Sequence, residues 1–134
     1  MKYLLDTHVL FWSMCDENKL SEQVLSLIND PGNDVYFSSA SVWEVAIKHS
    51  KNATNMPVGG REFVEGCLLA GYLPLPISNQ HVLAIEGLKR GNDQPPHNDP
   101  FDRILIAQAK SEGMTLITHD GMFAGYGETC VMTV

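Results

Sequence analysis

Short apolar segments that end at an acidic residue, each followed by a helix-forming stretch, constrain the fold of this sequence more than any other feature. Residues 3–5 form one such segment, directly before Asp6, and residues 114–118 form another, shortly before Asp120. Apolar runs of this length are typical of buried strands. Their alternation with helical patterns predicts an α/β layer fold with a mainly parallel sheet.

Periodicity and capping residues predict the other elements. Strands are expected at 3–5, 35–37, 73–77, 114–118 and 130–134, and helices at 9–14, 21–29, 42–50, 62–72, after Ser78, and at 101–112. Pro74 and Pro76 favour either an edge position for the extended segment at 73–77 or no place for it in the sheet at all. The chain has no repeat and no long linker, and its 134 residues predict a single domain over residues 1–134.

Asp6 and Asp120 each stand at the carboxyl end of a predicted strand. In open α/β sheets these ends share one edge, and ligands bind there at the point where the strand order reverses. The sequence therefore predicts that two carboxylates distant along the chain lie close together.

Three further acids are candidates for the same site, although each has a simpler explanation. Asp99 precedes Pro100, so it suits a helix N-cap, and Asp102 is then at the third helical position, where an acid meets the helix dipole favourably. Glu44 could pair with Lys48, four residues further along a helix. Capping and pairing explain each acid alone, but they give no reason for the acids to converge.

Clustered carboxylates repel one another, and a cation that neutralises them makes the cluster stable. Oxygen ligands without His or Cys spacing favour Mg²⁺ or Mn²⁺ over zinc. Thr7 and Thr118 could hydrogen-bond to such carboxylates. Three histidines, His8, His97 and His119, each lie near an acid in the sequence. For each of them we favour an ordinary polar position over a role as a partner of the site.

Composition excludes some classes of function. A formal net charge of -7 disfavours broad non-specific adhesion to nucleic acid, although an acidic enzyme site screened by metal ions is compatible with it. Cys15, Cys67 and Cys130 lack C-x-x-C spacing, which predicts reduced, buried thiols in a cytoplasmic protein. We also expect no signal peptide and no membrane-spanning segment.

The chain resembles PIN-domain ribonucleases, in particular the VapC-type toxins of toxin–antitoxin modules. The resemblance rests on LLDTHVLFW, SSASVWEVAIK, HNDPFDRILIAQA and LITHD, which occur in the family's order and cover essentially the whole chain. It implies a three-layer α/β/α fold and Mg²⁺- or Mn²⁺-dependent endonucleolytic cleavage of RNA. One departure is His8, where many relatives carry asparagine.

The resemblance also implies roles for individual residues. The residues that match the family's metal-binding and catalytic acids are Asp6, Glu44, Asp102 and Asp120. Asp99 matches an additional acid of the subgroup with a DPFDR signature, and it either ligates metal or only caps a helix. Lys48, Lys51 and Arg103 are expected to contact RNA phosphates.

Partners follow from the same resemblance: a small VapB-type antitoxin that blocks the site, and a second toxin copy in a homodimer. The helix at 9–14 is more apolar than one core-facing stripe requires, so either another chain covers part of it or this domain's own core buries it completely. Two alternative functions stay open. The first is an aspartyl-phosphate phosphatase, which would need a second acid where His8 stands. The second is a catalytically degenerate binding module, which the presence of all four family acids disfavours.

Overall fold

The computed structural model describes residues 1–134, in which five strands alternate with helices. The strands are β1 (Lys2–Leu5), β2 (Asp34–Ser38), β3 (Leu73–Leu75), β4 (Thr115–Thr118) and β5 (Val131–Thr133). The α-helices are α1 (Thr7–Cys15), α2 (Glu22–Asn29), α3 (Ser39–Lys51), α4 (Gly60–Leu69), α5 (Asn79–Ala84) and α6 (Pro100–Glu112). Short 3₁₀ helices occupy Glu17–Lys19, Ile85–Gly87 and Gly121–Tyr126.

The five strands form one sheet in the order β3-β2-β1-β4-β5, and all neighbouring pairs are parallel. This confirms the predicted parallel sheet and the edge position of the strand that contains Pro74. The chain moves outward from β1 to β3 and then returns to the other side of β1, where Leu5 is in register with Ile117 of β4. The strand order therefore reverses between β1 and β4, immediately below Asp6 and Asp120.

Alternate strand residues separate two hydrophobic cores. On one face Tyr3 and Leu5 pack with side chains of α1, α2 and α4, including Val9, Val24 and Phe63. On the other face Leu4 and Leu116 pack with α6. Helices thus cover both faces of the sheet, which confirms the three-layer α/β/α architecture.

Helix α6 has the boundaries that its sequence predicts. Asp99 is its N-cap and Pro100 its first residue, and it ends at Gly113. Gly113 has a φ of 66°, a left-handed conformation that costs glycine little because it has no Cβ. These sharp ends fix Asp102 at the first turn, on the side of the helix that reaches the carboxyl edge of the sheet.

Some sequence expectations are wrong. Trp43 lies outside the core and is 56% exposed, because α3 turns Val45 inward and leaves Trp43 on its outer side against Phe101. All three cysteines are free thiols, yet only Cys67 is buried. Helix α3 also begins at Ser39, earlier than expected, because the Ser38 hydroxyl accepts a hydrogen bond from the Ala40 amide and caps the helix there.

Helix α1 is partly covered. Val9 and Leu10 are buried, whereas Phe11, Trp12 and Met14 are half-buried. Complete burial of its apolar residues in this domain's own core does not occur. None of the helices has both the length and the apolar character needed to cross a membrane.

Candidate metal centre

The five acids singled out in the sequence surround one cavity of about 170 Å³ at the carboxyl edge of the sheet. Only one of its nine lining residues is hydrophobic. The lining residues are Asp6, Thr7, His8, Glu44, Lys48, Asp99, Asp102, Asp120 and Phe123. The expected convergence of Asp6 and Asp120 is therefore confirmed, and Glu44, Asp99 and Asp102 join them.

Asp6 is the most deeply placed acid, with 5% of its surface exposed. It lies at the junction of β1 and α1, where its Oδ1 accepts a hydrogen bond from the Val9 amide at 2.9 Å. The Thr118 hydroxyl, at the end of β4, donates to its Oδ2. Burial raises the pKa of Asp6, and these two hydrogen bonds partly oppose that rise. The adjacent strand ends thus fix the orientation of this carboxylate.

Glu44 reaches the cavity from α3. The Thr7 hydroxyl donates to Glu44 Oε1 at 2.8 Å, and Thr7 in turn lies 2.9 Å from the buried Ser41 hydroxyl. Lys48 pairs with the other carboxylate oxygen, Oε2, at 2.6 Å. Glu44 therefore pairs with Lys48 and lines the cavity at the same time. Thr7 and Thr118 donate hydrogen bonds to carboxylates, as the sequence suggested.

Asp99 and Asp120 cap helices and face the cavity as well. Asp99 Oδ1 accepts from the Phe101 and Asp102 amides at 2.9 and 3.1 Å. Asp120 Oδ1 accepts from the Met122 amide at 2.9 Å. In each residue one carboxylate oxygen caps a helix, which leaves the second oxygen available to a ligand in the cavity. Capping and ligand binding are thus compatible roles for the same side chain.

The electrostatics of the cavity are concentrated at Asp102. Loss of hydration, followed by the negative charges of Asp99, Glu44, Asp120 and Asp6, raises the pKa of its carboxyl from 3.8 to about 7. Near neutral pH the protein therefore holds a carboxyl group that releases its proton readily to make way for a cation. A site that accumulates like charge in this way is a candidate for function.

His97 is the residue that sequence reasoning undervalued. Its Nε2 lies 3.0 Å from Asp102 Oδ2, and its Nδ1 lies 2.8 Å from the Tyr126 hydroxyl. The expectation that it is a generic polar position is therefore wrong. Its place in HNDPFDR, shortly before the two acids of α6, was the available signal. By contrast, His119 bonds to the Val134 carbonyl and His8 is an exposed residue at the cavity.

The donor set fits a divalent cation. Carboxylate oxygens predominate, as Mg²⁺ and Mn²⁺ prefer. One ligand atom from each of His97, Asp102 and Asp120 can lie within 4.8 Å of the other two. Three basic residues were expected to contact RNA phosphates. Lys48 lines the cavity and Lys51 is exposed, whereas Arg103 donates a hydrogen bond to the Ile85 carbonyl and does not line the cavity.

A parallel three-layer fold with an acidic cavity at the reversal of strand order defines a class of open α/β proteins that bind ligands at this edge. The sequence matches the family model described as PIN domain over residues 3–128. The chain belongs to the PIN-domain family.

Solved structures of similar fold include two that are named VapBC. The structure of VapBC2 from Rickettsia felis bound to a DNA fragment from their promoter is 17% identical, with a TM-score of 0.64, covering 100% of this chain and 98% of that chain. VapBC-1 from nontypeable Haemophilus influenzae is 19% identical, with a TM-score of 0.64 and coverages of 99% and 98%. FitAcB from Neisseria gonorrhoeae is 20% identical, with a TM-score of 0.61 and coverages of 98% and 96%. No curated protein sequence matches the chain significantly.

Proposed function

We propose that this protein is a Mg²⁺- or Mn²⁺-dependent endoribonuclease that acts as the toxin of a toxin–antitoxin pair in the cytoplasm. The observation that carries the proposal is the convergence of five carboxylates on one cavity in a chain of the PIN-domain family. The reaction is hydrolysis of an RNA phosphodiester bond. No covalent intermediate on the protein is required.

Each residue has a defined part in this proposal. Asp6, Glu44, Asp102 and Asp120 hold the divalent cation, and Asp99 supports Asp102 from the N-cap of α6. A bound divalent cation supplies Lewis-acid stabilisation of the phosphate and lowers the pKa of water. Thr118 and Thr7 orient Asp6 and Glu44 through the hydrogen bonds described above.

Lys48 supports phosphate binding. Its side chain is half-exposed and its ammonium group pairs with Glu44 at the cavity, so it offers a positive charge beside the carboxylates. An aspartyl-phosphate phosphatase would place a second acid two residues after the nucleophile, and this chain has His8 at that position. The sequence around Asp6 therefore favours cation binding over an aspartyl-phosphate mechanism.

Purified protein incubated with total RNA tests the activity. Cleavage should require added Mg²⁺ or Mn²⁺ and stop with EDTA, and sequencing of the new ends should identify the sites that are cut. Asp102→Asn, prepared in the same way, is the control for a contaminating nuclease. Cleavage of equal rate by wild type and by Asp102→Asn would refute the assignment.

The proposed partners are a small VapB-type antitoxin and a second copy of this chain. Support comes from the similar structures, whose names describe VapBC complexes. It also comes from an apolar groove of about 540 Å³ between α1 and α4, lined by Phe11, Met14, Val58, Phe63 and Leu69 among others. Phe11 and Met14, two half-buried apolar residues of α1, line this groove, where an antitoxin segment can cover them.

Co-expression with the neighbouring short open reading frame tests the partner. Its product should co-purify with the chain, inhibit RNA cleavage and restore growth. Phe11→Asp should weaken that inhibition, because the groove becomes charged, while the acid cavity is unchanged. A neighbour that neither co-purifies nor inhibits would remove the toxin assignment and leave the nuclease. Light scattering of the chain alone would report the proposed homodimer.

A further inference from the structure

The two hydrogen bonds between His97 and Tyr126 place a hydrogen on His97 Nδ1. The Tyr126 hydroxyl has one hydrogen, and it donates that hydrogen to the His97 carbonyl oxygen at 2.9 Å, since a carbonyl can only accept. The same hydroxyl lies 2.8 Å from His97 Nδ1 and must therefore accept a hydrogen from it. A neutral imidazole protonated on Nδ1 has its lone pair on Nε2.

Metal-binding histidines commonly show this arrangement. One ring nitrogen donates to an oxygen acceptor, which fixes the ring and its tautomer, and the other nitrogen presents its lone pair to the ion. Here Nε2 points toward Asp102, and the side chain of His97 is only 10% exposed. Tyr126 is itself buried and lies under the guanidinium of Arg90 at 4.8 Å from its ring centroid, so the acceptor that orients His97 is held in place.

We infer that His97 Nε2 is a direct nitrogen ligand of a divalent cation that Asp102 and Asp120 also bind, with Tyr126 as the residue that orients it. This inference rests on the proposed metal-dependent function and adds a determinant of metal choice. The three donor atoms lie within 4.8 Å of one another, and metal–ligand bonds of about 2.1 Å place opposite donors about 4.2 Å apart, so small side-chain rotations complete the site.

A nitrogen donor changes which cation the site prefers. Mg²⁺ favours oxygen ligands, whereas imidazole suits later first-row metals, for which affinity rises along the series that begins with Mn²⁺. A purely carboxylate site offers little discrimination of this kind. His97 should therefore shift the preference of the site from Mg²⁺ toward Mn²⁺.

The test measures metal binding, without RNA. Electron spin-echo spectroscopy of the full chain loaded with Mn²⁺ should detect a directly coordinated ¹⁴N, and His97→Gln should abolish that signal. Titration should show Mn²⁺ affinity falling about 10–100-fold in His97→Ala, the range seen when groups around a metal are removed, with a smaller loss for Mg²⁺. Tyr126→Phe should keep the ¹⁴N signal and weaken Mn²⁺ by less than His97→Ala does.

His8→Ala is the matched control, because His8 also lies at the cavity. The ¹⁴N signal should persist in this variant, and its loss would overturn the assignment to His97. Mn²⁺ that binds through Asp102 without any ¹⁴N coupling in the wild type would also overturn it while leaving the proposed nuclease intact. Failure of Mn²⁺ to bind, or binding unchanged in Asp6→Asn/Asp102→Asn, would instead refute the proposed function.

Discussion

Helix α6 contributes residues to two groups of polar side chains that differ in how their charges are balanced. At its first turn is the acid cluster, which comprises Asp6, Glu44, Asp99, Asp102 and Asp120. Further along lies the amide cluster, which comprises Ser38, His81, Gln108 and Glu112. In the amide cluster Ser38 donates to Gln108 at 2.5 Å, and His81 pairs with Glu112 at 2.9 Å.

The difference separates structure from function. Each polar group of the amide cluster has a partner of complementary chemistry, so the cluster stabilises the packing of α3, α5 and α6 as it stands. In the acid cluster Lys48 pairs with Glu44 and His97 contacts Asp102, and the five carboxylates otherwise face one another. Loss of hydration, followed by the negative charges of the other four acids, raises the pKa of Asp102 to about 7. Burial of polar residues is therefore common to both, and the unbalanced negative charge is what marks the site.

The largest expected effect is a loss of RNA cleavage in variants of the acid cluster, with no loss in variants of the amide cluster. Asp102→Asn should lower RNA cleavage on the order of 100-fold or more, the scale of losing one preorganised electrostatic group. Asp6→Asn, Glu44→Gln and Asp120→Asn should behave alike. Glu112→Gln makes a similar chemical change at the other end of α6 and should leave the rate unchanged. Equal losses in Asp102→Asn and Glu112→Gln would mean that the acid cluster has no special role.

Metal binding should stabilise the fold through the acid cluster alone. Mn²⁺ at about 100 times its Kd adds about 2.7 kcal/mol to the free energy of unfolding, so Tm should rise near pH 7. The rise should shrink toward pH 4, where protons compete for the carboxylates. Differential scanning calorimetry measures it, and an equal rise in Asp6→Asn/Asp102→Asn would contradict the assignment.

Without metal, the acid cluster should make stability depend on pH. The native protein binds the Asp102 proton more tightly than the unfolded chain, because its pKa is raised from 3.8 to about 7. This contribution is fully present below pH 3.8 and is lost as pH rises through 7. The loss is on the order of 2 kcal/mol after allowance for partial exposure. Urea unfolding in EDTA should show it in wild type and in Glu112→Gln but not in Asp102→Asn.

Disrupting the amide cluster should harm stability and spare metal binding. Gln108→Leu leaves the buried Ser38 hydroxyl without its partner, which costs about 1–3 kcal/mol. Chemical unfolding measures that cost, and titration should give the wild-type Mn²⁺ affinity. A loss of Mn²⁺ affinity comparable to that of Asp102→Asn would show that the two clusters are coupled.

The smallest effect is expected at Asp99. Asparagine also caps helices well, so Asp99→Asn should retain α6 and reduce cleavage less than Asp102→Asn does. Circular dichroism and the cleavage assay check the two parts of this prediction. A loss of cleavage rate as large as that of Asp102→Asn would indicate that Asp99 is itself a principal metal ligand.

The sequence predicts the site and the limits of α6 where short-range rules, such as helix capping and strand termination, decide the structure. The strand ends before Asp6 and Asp120, together with the rule for open sheets, locate the site, and Asp99, Pro100 and Gly113 fix the limits of α6. The placement of Glu44 came from the family resemblance, since periodicity alone does not aim α3 at the sheet edge.

Contacts between distant loops escape such rules. His97 lies in a loop without periodicity, and Tyr126, which orients it, is 29 positions away. Ser38 and Gln108 are 70 positions apart, so neither residue signals the other. The outward position of Trp43 depends on how α3 rotates to bury Val45, which several polar and apolar neighbours decide together.

The hydrogen bond from Thr118 to Asp6 joins residues 112 positions apart. A ribosome that has just made α6 has already produced Asp6, Glu44, Asp99 and Asp102, yet β4 is missing beside β1. Asp6 then has no threonine donor, and Asp120 does not exist. If the chain cleaves RNA as proposed, a nascent or interrupted polypeptide is inactive until residues 118–120 have been synthesised and β4 lies beside β1, so translation itself delays the onset of toxicity.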